Sequence, residues 1–381
     1  MRILIVSDSP VILTGYGVIA KGFGKYLARR GHEVFFGSLQ HLGEPVKVEI
    51  DGKLFDMYSC AGGQPVYVEK TLSIVRPDVI MHIRDPVALT PGLFQAPYRF
   101  KPLAVKYGAR VIHWAPLMGD PPAEVINALS EDSDLVLAPT EWSYNLYLYA
   151  GLPSNRLETL HWGVDTEIFR ELDPKPKKSD LGFRDEAKLI VNVCVPDRFH
   201  KATPLLLKAA ATLVREGYDL EVYLNTASGA FKLEHYVELY RLKGRVILPR
   251  LYSKDWGISS ETLVKIYNVA DVVASPSTLE GANMVICEAL SCGTPVVATS
   301  LPVHVEMTTG KALYAKIAAE LPEITNVMMV PDVEDIARKM KLVLDGEYSL
   351  SRESIEEYRR WIGWEEKVVK FEKILKEHQI A

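Results

Sequence analysis

The stretch DVVASPSTLEGANMVICEALSCGTPVVAT, residues 271–299, contains the pattern that decides the fold. It opens with a short apolar run that predicts a buried strand, followed by a polar loop. The apolar residues 284–292 predict a helix, because Gly293 follows them as a stop signal and Asn283 precedes them as a suitable N-cap. A second apolar run closes the stretch and predicts another strand. Strand, loop, helix and strand in this order are typical of a parallel α/β sheet.

The same alternation continues through the rest of the chain. Apolar runs such as RILIVS at 2–7 and KLIVNVCV at 188–195 predict strands, and helical segments separate them. Proline and alternating charge replace this pattern at 170–187, which predicts a linker. We therefore expect an α/β fold with two Rossmann-like, doubly wound domains, at 1–172 and 173–357. An amphipathic C-terminal helix, 358–381, is expected to pack back on the N-terminal domain.

Composition excludes several classes of protein. The 381 residues include 44 Lys and Arg against 49 Asp and Glu, so the net charge of -5 provides no general basic field for nucleic acid. The four cysteines form no CxxC pair, which argues against structural zinc and suits a reducing compartment. Without a long apolar run or a secretion signal, we expect a cytoplasmic protein, and a peripheral membrane contact is left open.

Two carboxylates, Glu280 and Glu288, stand eight positions apart around the start of the predicted helix. A loop at the carboxyl end of a parallel strand that opens a helix is where α/β sheets bind ligands, and backbone N–H groups there attract phosphate. One carboxylate could bind a sugar and the other a ribose, with a diphosphate between them. The alternative is that each glutamate is an ordinary solvated side chain.

Residues 275–299 resemble the signature of the family four glycosyltransferases, which carry two glutamates with seven residues between them. Three further stretches also resemble parts of that family: TGYGVIAKGFGKYLARRGHEV at 14–34, HWGVDTEIF at 161–169 and ETLVKIYNVADVVASPS at 261–277. The resemblance covers essentially the whole chain. It implies the GT-B fold, in which two Rossmann-like domains face each other across a cleft, the first binding the acceptor and the second the nucleotide-sugar donor.

The resemblance also implies roles for residues of the signature. Glu280 would bind hydroxyls of the donor sugar, and Glu288 would bind the ribose. The family usually has a second glycine where this chain has Asn283. The backbone amides expected near the sugar and phosphate belong to Gly281, Ala282, Asn283 and Met284.

Two basic residues, Arg198 and Lys201, lie between a predicted strand and a predicted helix in VPDRFHKATPLLLKA. Positive charge there could neutralise a diphosphate leaving group as the glycosidic bond breaks. The resembled family places an arginine five residues before the lysine, where this chain has Pro196. Either residue could instead be an ordinary surface charge.

The N-terminal loop contains Gly15 and Gly17, which suggest a dinucleotide-binding fingerprint as a competing interpretation. The match is poor, because the first glycine stands eight residues beyond Ser7 and the spacing does not follow GxGxxG. In the resembled family this loop faces the phosphates and the acceptor, which makes both glycines candidates for donor binding. A plain turn is the alternative.

For the acceptor side, His113 and Asp120 follow a predicted strand in HWAPLMGDPP, and HIRDP offers His82, Arg84 and Asp85 in the same way. Such groups can orient an acceptor hydroxyl or stabilise positive charge. Relatives often place a histidine or aspartate near the reacting carbon in the 113–120 region, so His113 and Asp120 rank above Asp85 as catalytic candidates. A lone histidine after a strand can also be a core residue.

Together these observations and the resemblance predict a hexosyltransferase, and the resemblance implies that it is a retaining one. Its donor would be a nucleotide diphosphate sugar of the UDP-glucose or GDP-mannose type, and its acceptor a hydroxyl of a sugar, glycan or lipid-linked molecule. The resemblance implies no cofactor and no metal. Three alternatives stay open: a nucleotide-sugar epimerase or glycosyl phosphorylase on the same fold, a dinucleotide-dependent oxidoreductase, and a non-catalytic sugar-binding relative.

Overall fold

The structure is a computed structural model that describes residues 1–89, 99–194, 199–225, 233–249, 257–322 and 326–380. The chain forms two compact units. Unit 1 comprises Met1–Gly163 and Gly363–Ala381, and unit 2 comprises Val164–Ile362. The sequence predicts domain boundaries after residues 172 and 357. The structure places the first boundary earlier, after Gly163, and the second later, after Ile362.

Unit 1 alternates strands and helices along the chain. Its strands are β1 (Arg2–Ser7), β2 (Glu33–Ser38), β3 (Val46–Ile50), β4 (Lys53–Ser59), β5 (Val79–Ile83), β6 (Arg110–Trp114), β7 (Leu135–Ala138) and β8 (Leu157–Thr159). Its helices before the crossing to unit 2 are α1 (Gly15–Arg29), α2 (Pro65–Val75), α3 (Lys101–Tyr107), α4 (Ala123–Asp132) and α5 (Glu141–Tyr149).

The described strands of unit 1 form one sheet in the order β3-β4-β2-β1-β5-β6-β7-β8, parallel except for the β3–β4 pair. Strand β1 lies in its middle and is apolar on both faces, with Ile3 to Val6 at most 1% exposed. A continuous apolar run suits this position, because helices cover both faces of a parallel sheet.

Strands and helices also alternate along unit 2. Its strands are β9 (Lys188–Val193), β10 (Leu220–Asn225), β11 (Val246–Ile247), β12 (Val272–Ser275), β13 (Val296–Thr299), β14 (Leu313–Ala315), β15 (Ile317–Pro322) and β16 (Val327–Pro331). Its helices are α6 (Thr203–Arg215), α7 (Leu233–Leu239), α8 (Ser260–Val269), α9 (Met284–Ser291), α10 (Pro302–Met307), α11 (Val333–Leu344) and α12 (Arg352–Ile362).

The main sheet of unit 2 has the order β11-β10-β9-β12-β13-β14 and is parallel at every described pairing. Its side chains alternate between two apolar clusters, one on each face: Leu189 and Val191 belong to one, and Ile190 to the other. Strands β15 and β16 form a separate antiparallel hairpin. Both units therefore have the doubly wound α/β architecture that the sequence predicts.

The segment 170–187, expected to be a linker, is bound to unit 2. The backbone N–H of Leu172 donates to Asn268 Oδ1 at 2.9 Å, and Lys178 Nζ lies 2.6 Å from Asp271 Oδ2. Proline and charge limit regular secondary structure here to one short 3-10 helix, Ser179–Leu181, but they do not prevent polar contacts with a neighbouring surface. This explains why the division falls before the segment.

The last helix, α13 (Trp364–Glu377), belongs to unit 1 and packs against α1. Phe371 meets Phe23 of α1 with ring centroids 5.1 Å apart. At the helix exterior, both oxygens of Glu372 accept hydrogen bonds from the guanidinium of Arg30, at 2.9 and 2.8 Å. Apolar and paired polar contacts thus attach the C-terminal helix to the N-terminal part of the chain.

Within the described ranges, no helix is both long enough and apolar enough to cross a membrane. None of the four cysteines, all of which lie in these ranges, forms a disulfide.

Candidate functional site

The strand order of unit 2 reverses beside β9, because β10 lies on one side of it and β12 on the other. Ligands of open α/β sheets bind outside the carboxyl ends of the strands at such a reversal. Lys201 follows β9 and Glu280 follows β12, so the topology brings both side chains to this edge. The sequence predicted that both residues belong to the site, and the structure places them in contact.

Lys201 Nζ lies 2.5 Å from Glu280 Oε1. The carboxylate is nearly enclosed, with Glu280 8% exposed, and burial on its own would raise its pKa. The positive charge of Lys201 and its hydrogen bond outweigh burial, so the pKa of Glu280 lies below its ordinary value. Glu280 is therefore ionised at neutral pH and accepts hydrogen bonds.

A chain of polar side chains extends from this ion pair across the end of the sheet. Ser277 donates to Glu280, and the hydroxyls of Ser277 and Ser275 lie 3.3 Å apart. The Asn283 amide donates to Ser275 Oγ at 2.9 Å and also contacts His304 Nε2 at 2.8 Å. The network thus connects the loop after β12 with the start of α9 and with α10.

The tautomer of His304 follows from its two partners. Nδ1 lies 2.8 Å from the carbonyl oxygen of Thr299, which can only accept, so Nδ1 carries the proton. Nε2 then accepts from Asn283. His304 is fully buried, and burial lowers its pKa, which keeps the ring neutral.

Asn283 occupies the N-cap position of α9, as the sequence predicted, but its side chain does not cap the helix. Its backbone is left-handed, with φ 56° and ψ 69°, whereas a capping residue is normally extended. Asparagine tolerates this conformation better than most residues, which explains how it can replace a glycine. An N-cap bond would contribute about 0.5–2 kcal/mol, so the diverted side chain leaves the helix without that stabilisation.

Glu288 lies inside α9 and is also 8% exposed, but it contacts a different group. Tyr267 Oη donates to Glu288 Oε2 at 3.1 Å. Burial raises the pKa of Glu288 to about 8 and exceeds the opposing effect of the Tyr267 hydrogen bond. The two glutamates of the segment therefore differ in protonation near neutral pH.

The other predicted donor residues of unit 2 divide into two groups. Gly281 and Ala282 are buried in the loop before α9, and Met284 begins the helix. Arg198, the second predicted cation, lies outside the described residues.

In unit 1, Gly15 and Gly17 lie at the beginning of α1, where the Gly17 N–H donates to Thr14 Oγ1 at 3.1 Å. A Cβ on Gly17 would collide with the carbonyl oxygens of Ile12 and Ser9, the second at 2.7 Å, whereas a Cβ on Gly15 would meet nothing within 4 Å. Gly17 is thus required by close backbone packing within the loop, and Gly15 is sterically unconstrained.

The same edge of unit 1 contains a polar cluster, of which the sequence indicated only Arg84. Arg84, just beyond β5, pairs with Asp8, just beyond β1, and Thr14 Oγ1 donates to Asp8 Oδ2 at 2.7 Å. The Gln40 side chain donates to Asp8 Oδ1 at 2.5 Å. The four residues come from separate positions in the sequence, so only the strand order brings them together.

The predicted acceptor residues lie in unlike surroundings. The sequence placed His113 after a predicted strand. In the structure it lies within β6 and is 1% exposed. Its Nδ1 is 2.9 Å from His82 Nδ1, and its Nε2 is 3.2 Å from Asp132 Oδ2. These contacts favour the alternative that His113 is a core residue, because no side of its ring reaches solvent. Asp120 is exposed in the loop between β6 and α4.

Within the described residues, no group of three or more His, Cys, Asp and Glu side chains is arranged to hold a metal ion.

Comparison with known proteins finds the resembled family over part of the chain. The family model described as glycosyl transferases group 1 matches residues 187–346, which include Lys201, Glu280 and Glu288. The D-inositol 3-phosphate glycosyltransferase of Kribbella flavida is 30% identical over 199 residues, covering 48% of this chain and 44% of that protein. The protein of the same name from Mycobacterium sp. (strain JLS) is 31% identical over 197 residues, covering 49% and 44%. The matched region spans less than half of these relatives.

Solved structures match over nearly the whole chain. Sucrose-phosphate synthase from Thermosynechococcus elongatus has a TM-score of 0.73 at 15% identity, covering 98% of both chains. The Anabaena HepE structure in complex with UDP and glucose has a TM-score of 0.71 at 14% identity, covering 99% of this chain and 100% of that one. These matches confirm the expected GT-B architecture of two Rossmann-like domains.

Proposed function

We propose that the protein is a retaining glycosyltransferase that moves a hexose from a nucleotide diphosphate sugar to an acceptor hydroxyl. The Lys201–Glu280 contact is the main support for this proposal. It combines a cation and an ionised carboxylate at the end of the sheet beside a helix N-terminus. A diphosphate and a sugar are the two chemical groups that such a pair would bind side by side.

In this proposal each group has a separate task. Glu280 accepts hydrogen bonds from hydroxyls of the donor sugar, while Lys201 and the first amides of α9 bind the diphosphate. Negative charge grows on the diphosphate as the glycosidic bond breaks, and a fixed positive charge lowers the energy of that state. One such electrostatic contact contributes about 3–4 kcal/mol to the transition state in well-studied enzymes. The reaction is proposed to need no metal.

The donor is proposed to be of the UDP-glucose or GDP-mannose type, with Glu288 at the ribose. The HepE complex with UDP-glucose supports the first of these, since that protein shares the fold. The acceptor is proposed to be a sugar or a polyol phosphate, because the curated relatives are D-inositol 3-phosphate glycosyltransferases. It would bind on unit 1, where Asp120 is the exposed candidate and where Asp8 and Arg84 lie at the strand ends.

The test is a transfer assay with wild type, Lys201→Ala and Glu280→Ala. The protein is incubated with UDP-glucose, GDP-mannose, UDP-N-acetylglucosamine or ADP-glucose and with inositol phosphates, monosaccharides or lipid-linked sugars. Mass spectrometry detects the product, and NMR gives the configuration of the new bond. We expect one donor to be used with retention, and each substitution to lower the rate by about 100-fold or more.

Matched controls separate a local effect from a general one. Lys208→Ala on α6 and Glu238→Ala on α7 remove the same charges from exposed positions of unit 2 and should leave the rate unchanged. Circular dichroism checks that all variants are folded. Wild-type transfer rates in both Lys201→Ala and Glu280→Ala would refute the assigned roles, and consumption of donor without an acceptor would favour an epimerase.

A further inference from the structure

The start of α9 has an unusual arrangement. Asparagine is among the best N-cap residues because its side-chain oxygen accepts from a backbone N–H in the first helical turn. Asn283 stands at that position and makes no such bond. Its amide group instead contacts Ser275 Oγ and His304 Nε2, at 2.9 and 2.8 Å. The side chain is therefore directed away from the helix N-terminus.

A hydrogen bond on the other side of the ring fixes the orientation of His304. It is fully buried, and its Nδ1 donates to the Thr299 carbonyl oxygen at 2.8 Å, at the end of β13. This bond orients the ring so that Nε2 accepts from Asn283. A capping residue normally has an extended backbone, so Asn283 would have to leave its left-handed conformation in order to cap α9, and its bond to His304 opposes that change.

We infer that His304 is a positioning residue for the diphosphate of the donor. By binding the Asn283 amide, it prevents Asn283 from capping α9 and leaves the first backbone N–H groups of the helix available to the phosphates. The inference rests on the proposed function, because it assumes that the donor diphosphate binds at this helix N-terminus. It also explains why the chain has asparagine here without its usual bond.

The mechanism makes a distinctive prediction about pairs of substitutions. His304→Leu removes one of the two acceptors of the Asn283 amide, the other being Ser275 Oγ. The side chain is then held less firmly and can compete with the phosphates by capping the helix. Asn283→Gly adopts the left-handed conformation without strain and has no side chain that could cap. In the glycine background, the loss of His304 should therefore have no effect on phosphate binding.

The experiment uses isothermal titration of the full-length protein with UDP, GDP and ADP, and continues with the tightest of the three. We expect His304→Leu to raise Kd about tenfold, and His304→Gln, which keeps an acceptor, to stay close to wild type. Asn283→Gly supplies the reference Kd of the glycine background, and the double variant Asn283→Gly/His304→Leu should bind with the same Kd as this single variant. Thermal unfolding checks that each variant is folded.

Two results would overturn the inference. One is unchanged binding by His304→Leu. The other is an equal loss of nucleotide affinity when His304→Leu is introduced into wild type and into Asn283→Gly. That result would mean that His304 acts through general packing and not through Asn283. A wild-type protein that binds none of the three nucleotides would instead refute the proposed function itself, and the inference would fail with it.

Discussion

Glu280 and Glu288 belong to one short segment, yet their carboxyl groups have opposite electrostatic surroundings. Both are 8% exposed, so burial raises the pKa of each. Lys201 reverses the effect at Glu280, whereas the partner of Glu288 among the described side chains is the neutral hydroxyl of Tyr267. A neighbouring cation thus decides which carboxyl is ionised in the ligand-free protein.

Glu288 should make the stability of the protein depend on pH. The unfolded chain releases its proton near 4.5, and the folded chain keeps it until about 8. Between these values the folded state binds more protons than the unfolded state, so the free energy of unfolding falls as pH rises. Glutamine does not titrate, so replacing Glu288 by glutamine removes this fall in the free energy of unfolding. We expect the free energy of unfolding of Glu288→Gln to exceed that of wild type by roughly 2–4 kcal/mol at pH 9. At pH 4.5 the two free energies should differ little.

Urea unfolding of both proteins at pH 4.5, 7 and 9 measures this dependence. Glu238→Gln, at an exposed position of the same unit, is the control and should show no such trend. A difference that stays constant over the three pH values would contradict the assignment.

At the residue scale, the sequence indicated Lys201 and Glu280 because each lies in a loop between a predicted strand and a predicted helix, and because the stretches around them resemble a known family. It could not predict His304, since nothing in the order of residues shows that its ring reaches Asn283 across two elements. His113 illustrates the reverse problem. The residue type suggested chemistry, but the strand extends to Trp114 and encloses the ring.

The beginning of α1 shows how an element can depend on one glycine. Gly17 lies against the carbonyl oxygens of Ile12 and Ser9, and Thr14 caps the helix through the Gly17 N–H. We expect Gly17→Ala to lower the free energy of unfolding by roughly 1–3 kcal/mol, because the added Cβ must displace the backbone of the loop. Gly15→Ala, two residues earlier, should be neutral or slightly stabilising, by about 0.5–1 kcal/mol at most.

Thermal or urea unfolding of the two variants tests this pair. The comparison is well matched, because both changes add one methyl group to the first turn of the same helix. Equal effects of the two substitutions would mean that the close approach at Gly17 does not constrain the loop.

Whether an element could be predicted depended on how deeply it is buried. Strands β1, β9 and β12 are apolar on both faces and stand out as continuous runs in the sequence. Strands β3 and β15 are largely exposed and have no such run, so the sequence did not reveal them. Buried parallel strands require apolar residues at every position, whereas exposed antiparallel strands tolerate almost any pattern.

At the scale of the whole molecule, the chain leaves unit 1 at Gly163 and returns to it at Gly363. The first helical residue after the return, Trp364, is 2% exposed and packs against Gly22 and Gly163. A Cβ on Gly163 would lie 2.6 Å from its ring. Residues at the end of the sequence therefore complete the core of the N-terminal unit.

Trp364→Ala should destabilise unit 1 by about 3–5 kcal/mol, because it leaves a large cavity beside Phe23 and Trp114. Hydrogen exchange should show faster exchange in α1, β1 and β6, while β9, β12 and β13 keep their protection. Trp361→Ala, on the α12 helix of unit 2, is a control in which α1 should remain protected. Unchanged exchange in α1 after Trp364→Ala would contradict the packing described here.

The measurement that tests the central claim most directly is ligand-dependent thermal stability of wild type and Glu280→Ala. The panel consists of UDP-glucose, GDP-mannose, UDP-N-acetylglucosamine, ADP-glucose, the free nucleoside diphosphates and the nicotinamide dinucleotides. A ligand that binds only the folded state raises Tm. We predict that one nucleotide sugar raises the Tm of wild type and has a much smaller effect on Glu280→Ala. A rise with a nicotinamide dinucleotide alone, or the same rise in both proteins, would contradict the account.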